Sequence, residues 1–152
     1  MDSKDKRILE LLQQDAMLSA AEIAEQVGLT TTPCWRRIQK LEEQGYIKER
    51  VALLDRQKLN VGTTVFVGVR TSRHSDEWLQ RFKDAVRNMP EVVEAHRLSG
   101  DTDYMLRIVV PDIHEYDRVY QKLIRELEFL DVSSSFSMEE LKSTTAIPVK
   151  HA

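Results

Sequence analysis

The stretch Ser19 to Gly45, SAAEIAEQVGLTTTPCWRRIQKLEEQG, decides the fold of the first part of the chain. Ser19 can accept from backbone donors while Glu22, three residues on, reaches back, the pattern of a capping box that opens a helix. Ile23, Ala24 and Val27 make its inner face, and Gly28 stands where a helix C-terminus needs a residue that tolerates positive φ. After the link Leu29-Thr30 a second helix is expected, with Thr31 or Thr32 as N-cap and Pro33 at the first helical position, running to about Gln44 and ending at Gly45. At 100° per residue Cys34, Ile38 and Leu41 share one narrow stripe, so they should pack inward. Thr32, Arg36, Gln39, Lys40 and Glu43 lie opposite. Trp35 and Arg37 flank them, and a tryptophan so placed reads as a packing residue.

Upstream, apolar Ile8, Leu11 and Leu12, with Leu9 beside them, predict a helix from about Lys4 to Asp15. Three short helices, the last two joined by a turn that starts with glycine, form the pattern of a helix-turn-helix. A small helical bundle of another kind has the same spacing; the polar outward face of the third helix favours nucleic acid. A recognition helix reads bases from its N-terminal turns, which here hold Thr31, Thr32, Arg36 and Gln39. Arg can bind guanine and Gln adenine bidentately, while Arg37 and Lys40 are placed as well for phosphates as for bases. The next segment, Tyr46 to Leu54, reads as a strand or short hairpin. With Lys48 and Arg50 it makes either a wing over the DNA backbone or a plain connecting strand.

The texture changes between residues 47 and 64, which predicts a helical domain over 1–60 and a second domain over 61–152. Thr64 to Thr71 reads as a strand with Val65, Val67 and Val69 on one face and Phe66, Gly68 and Arg70 on the other. Ser75 caps a helix whose inner stripe is Trp78, Leu79, Phe82, Ala85 and Val86, stopped by Met89-Pro90. Val92 to Leu98 and Tyr104 to Val110 are strands around a turn at Gly100. A helix over about Asp112 to Leu127 and a strand from Asp131 to Met138 complete the order β-α-β-β-α-β, the split arrangement of ferredoxin-like folds. Two helices cover one sheet face only, so an apolar bare face should be buried by another subunit.

The 152 residues hold 41% hydrophobic and 31% charged side chains, the balance of a folded domain. No apolar run approaches a membrane span, and nothing resembles a signal peptide, so a cytoplasmic protein is expected. The single cysteine, Cys34, excludes an internal disulfide and supplies no zinc site. A net charge of −3 weighs against non-specific nucleic-acid affinity, but its distribution is uneven. Residues 1–60 carry ten basic and ten acidic side chains, and the remainder twelve and fifteen. Catalytic candidates are scattered: His74, His96, His114 and His151 lack metal-ligand spacing, Asp101 with Asp103 and the run Ser133-Ser134-Ser135 form no constellation, and no phosphate loop or nucleophile elbow occurs. No enzyme, cofactor or metal site is expected.

The run Leu29 to Gln44 with its Thr-Thr-Pro-Cys-Trp-Arg-Arg stretch, the turn Ser99-Gly100-Asp101-Thr102-Asp103-Tyr104 and the tail Lys142-Ser143-Thr144-Thr145 together resemble the leucine-responsive/AsnC family of bacterial and archaeal regulators. The resemblance covers nearly the whole chain. It implies an α+β protein, a winged helix-turn-helix with a hinge strand joined to a ferredoxin-like sensor domain, that binds double-stranded DNA as dimers assembling into octamers. It also implies an amino-acid effector between subunits, near Gly100, Asp101, Asp103 and Tyr104, with Leu98, Thr144 and Thr145 as neighbours. A zwitterion needs a carboxylate or carbonyl for its ammonium and N–H or hydroxyl donors for its carboxylate, which such a turn offers. Read alone, Gly-Asp-x-Asp is equally a hairpin turn.

Overall fold

Asp2 begins the first helix, α1 (Ser3–Gln14): its carboxylate accepts from the Asp5 N–H at 2.9 Å, and Asp5 accepts in return from the Asp2 N–H at 3.0 Å. The expected box recurs at α2 (Ala20–Val27), where Ser19 accepts from the Glu22 N–H and Glu22 from the Ser19 N–H. Gly28 then adopts φ 64°, ψ 48°, the left-handed conformation that lets the chain turn sharply into α3 (Thr31–Glu43). The computed structural model describes residues 1–72 and 75–152, so His74 lies outside the described residues.

The start of α3 differs from expectation. Thr30 is the N-cap and makes no side-chain capping bond, which puts Pro33 at the third helical position. The physical allowance is the same there, because the first intrahelical donor is Cys34, bonded to the Thr30 carbonyl at 3.2 Å, and an N–H at 33 would have had no partner. The helix ends in a Schellman motif: Gly45 N–H bonds the Glu42 carbonyl and Tyr46 N–H the Leu41 carbonyl. Ile8, Leu11, Ile23, Ala24, Cys34, Ile38 and Leu41 fill the core between the three helices. Burial pushes the Cys34 thiol up, which suits packing rather than reactivity.

The chain divides into two compact units, Met1–Leu53 with Leu141–Ala152, and Leu54–Glu140. The division falls before the expected residue 60, and the tail joins the helical unit rather than the second domain. Its reason is local: the Gln13 side-chain amide donates to the Ile147 carbonyl and accepts from the Ile147 N–H, at 3.1 and 2.7 Å, while Val149 packs on the helical core.

Tyr46 to Leu54 forms no strand, and the hinge strand expected within the first 60 residues is also absent. An isolated strand leaves its backbone groups unpaired, and this segment is instead held by side chains. Ile47 packs on the helical core, and Arg50 donates to the Ala16 carbonyl and to Glu42, at 3.0 and 2.9 Å. Residues 56–60 make turns, with Asp55 accepting from the N–H groups of Gln57 and Lys58.

The second unit is the expected ferredoxin-like α+β domain. β1 (Thr63–Arg70), α4 (Asp76–Arg87), β2 (Val92–Arg97), β3 (Tyr104–Val110), α5 (Ile113–Glu126) and β4 (Asp131–Phe136) build an antiparallel sheet of order β2-β3-β1-β4. Val65, Val67 and Val69 pair with Ile108, Leu106 and Tyr104 and face the helices, where Trp78, Phe82, Val119 and Leu123 cover them. The opposite face carries Phe66, Gly68 and Arg70, with Met105, Arg107, Glu94, His96, Ser133 and Ser135 beside them by register. That face is mixed rather than apolar: Phe66 is exposed, but Arg107 donates to Glu94 at 2.6 Å next to it. Among the described residues no helix is long and apolar enough to cross a membrane.

Candidate functional site

Two features of the helical unit orient the outward face of α3. Cys34, Ile38 and Leu41 anchor the helix from below, so Thr31, Thr32, Arg36 and Lys40 stand exposed. None of these four side chains is engaged by a hydrogen bond or ion pair among the described residues. The second feature is Arg37, whose Nη1 donates to Asp2 Oδ2 and to Asp5 Oδ1, both at 2.7 Å. Of the six residues expected to meet DNA, Arg37 is therefore already bound within the protein, locking α3 to the first turn of α1. The Asp5 N–H and then the Arg37 guanidinium hold the Asp2 carboxyl at about 2. Gln39 donates to Glu42 at 3.1 Å, so to reach a base edge it must exchange a neutral-to-charged hydrogen bond one turn along its own helix.

Trp35 is the residue the sequence reading placed wrongly. It is 52% exposed on the flank of α3, lining a shallow concavity with Arg36, Gln39, Lys40, Glu43 and Gln44. Its position 100° from Cys34 was the available signal; preference for burying tryptophan overrode it. An exposed indole among cations offers a flat apolar surface for a thymine methyl or a sugar.

In the second unit, the Leu98 to Tyr104 turn joins β2 to β3. Gly100 adopts φ 122°, a conformation that glycine takes at no steric cost. Asp103 pins the turn to the end of β1: its N–H donates to the Val69 carbonyl at 3.0 Å, its Oδ2 accepts from the Thr71 N–H at 2.8 Å, and its carbonyl accepts from the Leu98 N–H at 2.8 Å. Tyr104 is buried, its ring 4.6 Å from that of Phe82 and 5.7 Å from that of Trp78. Asp103 and Tyr104 thus hold the turn in place, while Leu98, Gly100 and Asp101 are its exposed part. The N–H groups of Gly100 and Asp101 make no hydrogen bond among the described residues. Carboxylate and free N–H groups are brought together there, as a zwitterion requires. Thr144 and Thr145 are exposed and belong to the tail, in the other unit. Thr102, which sequence reading passed over, lies against Gly68: a Cβ added to that glycine would stand 3.3 Å from Thr102 Cγ2.

No described cluster of three or more His, Cys, Asp or Glu side chains is arranged to hold a metal ion. The histidines stay dispersed, with His96 on the uncovered sheet face 3.6 Å from Glu94. Ser134 bonds Tyr116 and has no base beside it.

Comparison with known proteins agrees with both halves. A model described as a winged helix-turn-helix DNA-binding domain matches residues 1–48, and one described as the Lrp/AsnC ligand binding domain matches residues 64–147. The glutamate uptake regulatory protein of Zymomonas mobilis is 50% identical over 149 residues, covering 98% of this chain and 91% of that protein. The crystal structure of an AsnC family transcriptional regulator from Agrobacterium tumefaciens matches with a TM-score of 0.96 at 56% identity, over 99% of each chain. A transcriptional regulator from Neisseria meningitidis, crystallised as a complex with L-methionine, matches with a TM-score of 0.94 at 34% identity, over 99% of this chain and 98% of that one. With a helix-turn-helix whose α3 face is open and a ferredoxin-like domain matching a ligand-binding model, the chain belongs to the Lrp/AsnC family of DNA-binding transcriptional regulators.

Proposed function

We propose that the chain binds specific double-stranded DNA in the cytoplasm through α3 of paired subunits, and that a small amino acid at the Leu98–Tyr104 turn changes that binding. The observation that carries the DNA half is the exposed, internally unengaged set Thr31, Thr32, Arg36 and Lys40 on a helix whose other side is buried. Arg36 reads a base edge, Lys40 contacts phosphate, and the threonines meet the backbone or a thymine methyl. Gln39 reads a base after releasing Glu42. Arg37 acts chiefly by orienting α3, with phosphate contact available only on its remaining exposed edge.

The methionine complex of the Neisseria relative supports an amino acid as the ligand class. On this chain Asp101 receives its ammonium, the Gly100 and Asp101 N–H groups its carboxylate, and Leu98 its side chain; Asp103 and Tyr104 keep the turn in shape. Thr144 and Thr145 enter the site from the tail of a second subunit. No cofactor or metal is required and no chemistry is catalysed. Effector and DNA are linked through assembly: homodimers present two α3 helices to half-sites about one helical turn apart, and an effector that prefers one dimer or octamer arrangement shifts DNA affinity reciprocally.

Fluorescence anisotropy on DNA from upstream of the protein's own gene, with competitor present and each amino acid added in turn, tests both halves. Specific binding that one amino acid alters is the expected result. Binding no tighter to that DNA than to competitor, at low and moderate salt and with every amino acid, would overturn the DNA half.

A further inference from the structure

A second pocket lies on the helix-covered side of the sheet, between α4 and the edge strand β2, with a volume of about 380 Å³. Two helices cannot cover four strands fully, and β2, like β4 at the other end, is an edge of the sheet. Its helix-side residues Ala95 and Arg97, opposite Leu106 and Tyr104 in register, are exposed although the corresponding residues of β3 are buried. The walls are apolar: Leu79, Phe82 and Val86 from α4, Ala95 from β2 and Tyr104 from β3. Ala95, opposite Leu106 in register, has the smallest side chain of the lining and leaves room over the sheet there.

The rim is of one sign. Lys83 and Arg87, four residues apart on α4, face Arg97 across the opening, while His96 lines the pocket from a position whose side chain is on the opposite sheet face by register. No Asp or Glu lines the pocket, and among the described residues Lys83, Arg87 and Arg97 make no ion pair. This gathering of cations is local, because the chain as a whole carries −3. Unneutralised cations around an apolar cavity of this size are matched by a ligand with a compact apolar body and one terminal negative charge.

We propose that this pocket binds a small monocarboxylate with an aliphatic or aromatic body, at a site that adjoins the Leu98–Tyr104 turn and shares Tyr104 with it. The body lies between Val86 and Ala95 over the Phe82 and Tyr104 rings, and the carboxylate meets Lys83, Arg87 and Arg97. The ammonium of an amino acid has no carboxylate to meet here and would stand among like charges, so the pocket selects a deaminated acid over the amino acid. The site stands whether or not the turn binds an effector.

Calorimetric titration of the full-length protein with 4-phenylbutyrate, and with the uncharged 4-phenylbutanamide as its match, decides the matter. The carboxylate is expected to bind and the amide to bind at least about tenfold more weakly, the loss typical of removing a charge-assisted interaction. The double substitution Lys83→Gln, Arg87→Gln should weaken phenylbutyrate by about tenfold or more on the same grounds. Ala95→Leu, at an exposed position that tolerates the larger side chain, should abolish binding by filling the floor. Absence of binding to the native protein, equal affinity for acid and amide, or unaltered affinity in the Ala95→Leu protein would each overturn the proposal.

Discussion

At Arg37 one guanidinium nitrogen serves two carboxylates, and this residue decides how rigidly the reading helix is presented. Asp2 is exposed and Arg37 and Asp5 are only partly buried, so the clamp contributes orientation more than stability. The Asp2 carboxyl is held at about 2 against an ordinary 3.8, first by the Asp5 N–H and second by Arg37. A carboxyl with a lowered folded-state value contributes stability that is complete above 3.8 and disappears as pH falls through about 2. NMR titration of Asp2 should therefore give a midpoint near 2 in the native protein. In Arg37→Ala it should rise only part of the way, because the backbone donor remains; an unchanged midpoint would remove Arg37 from the clamp. Gly68 is the second position where one atom matters. Thr102 occupies the space a side chain would need, so Gly68→Ala should move Thr102 and shift the Thr102 and Asp103 amide resonances while the helical unit's resonances stay fixed. If the turn binds an amino acid, affinity for it falls in the same variant.

At the scale of elements, α3 carries the most informative substitutions because its roles divide by chemistry. Removal of a phosphate contact lowers affinity on all sequences and reduces the salt slope by about 1, whereas removal of a base contact costs roughly 1–3 kcal/mol and relaxes preference at one position. Lys40→Ala should follow the first pattern and Arg36→Ala the second; salt-dependent anisotropy on the preferred DNA and on single-base variants separates them. Identical behaviour of the two would contradict the division. Elements built from neighbouring residues were legible in the sequence. The Ser19/Glu22 box, the Gly28 turn, the inward stripe of α3 and the alternation Val65, Val67, Val69 all depend on spacings of two to four residues. What escaped was set by distant partners. Arg37 meets Asp2 and Asp5 across 35 and 32 positions, Arg50 meets Ala16 across 34, and Asp103 meets Thr71 across 32. The same reason explains the missing strand at 46–54: its alternation was visible, but strand formation needs a partner, and the partners available were the side chains of an adjoining helix and loop. The exposed part of the turn was legible as residues, while the division of work between Asp101 and Asp103 was not.

At the scale of the whole molecule, the chain leaves the helical unit at Leu53, builds the sheet domain, and returns at Leu141 to finish the unit it began. The helical unit is therefore discontinuous, and its last twelve residues have two jobs: they complete a fold, and they form a second covalent connection between reader and sensor. Their attachment is concentrated at the Gln13–Ile147 pair of hydrogen bonds, Lys6 donating to the Lys150 carbonyl at 3.3 Å, and Val149 on the core. Ending the chain after Thr145 removes all three. Three exposed hydrogen bonds at the low end of the net range, about 0.5 kcal/mol each, and partial burial of one valine worth about 1 kcal/mol, put the loss at roughly 2–3 kcal/mol. Because the lost contacts fall on α1, hydrogen exchange should speed up in α1 and the helices packed on it, with exchange in the strands of the sheet unchanged. Val149→Ala is the finer probe, since it keeps the backbone and removes only the packing; it should reproduce somewhat less than half of the effect. Uniform acceleration across both units would mean that the tail stabilises the molecule as one cooperative block, and an unchanged α1 would mean that its docking contributes nothing to the reader.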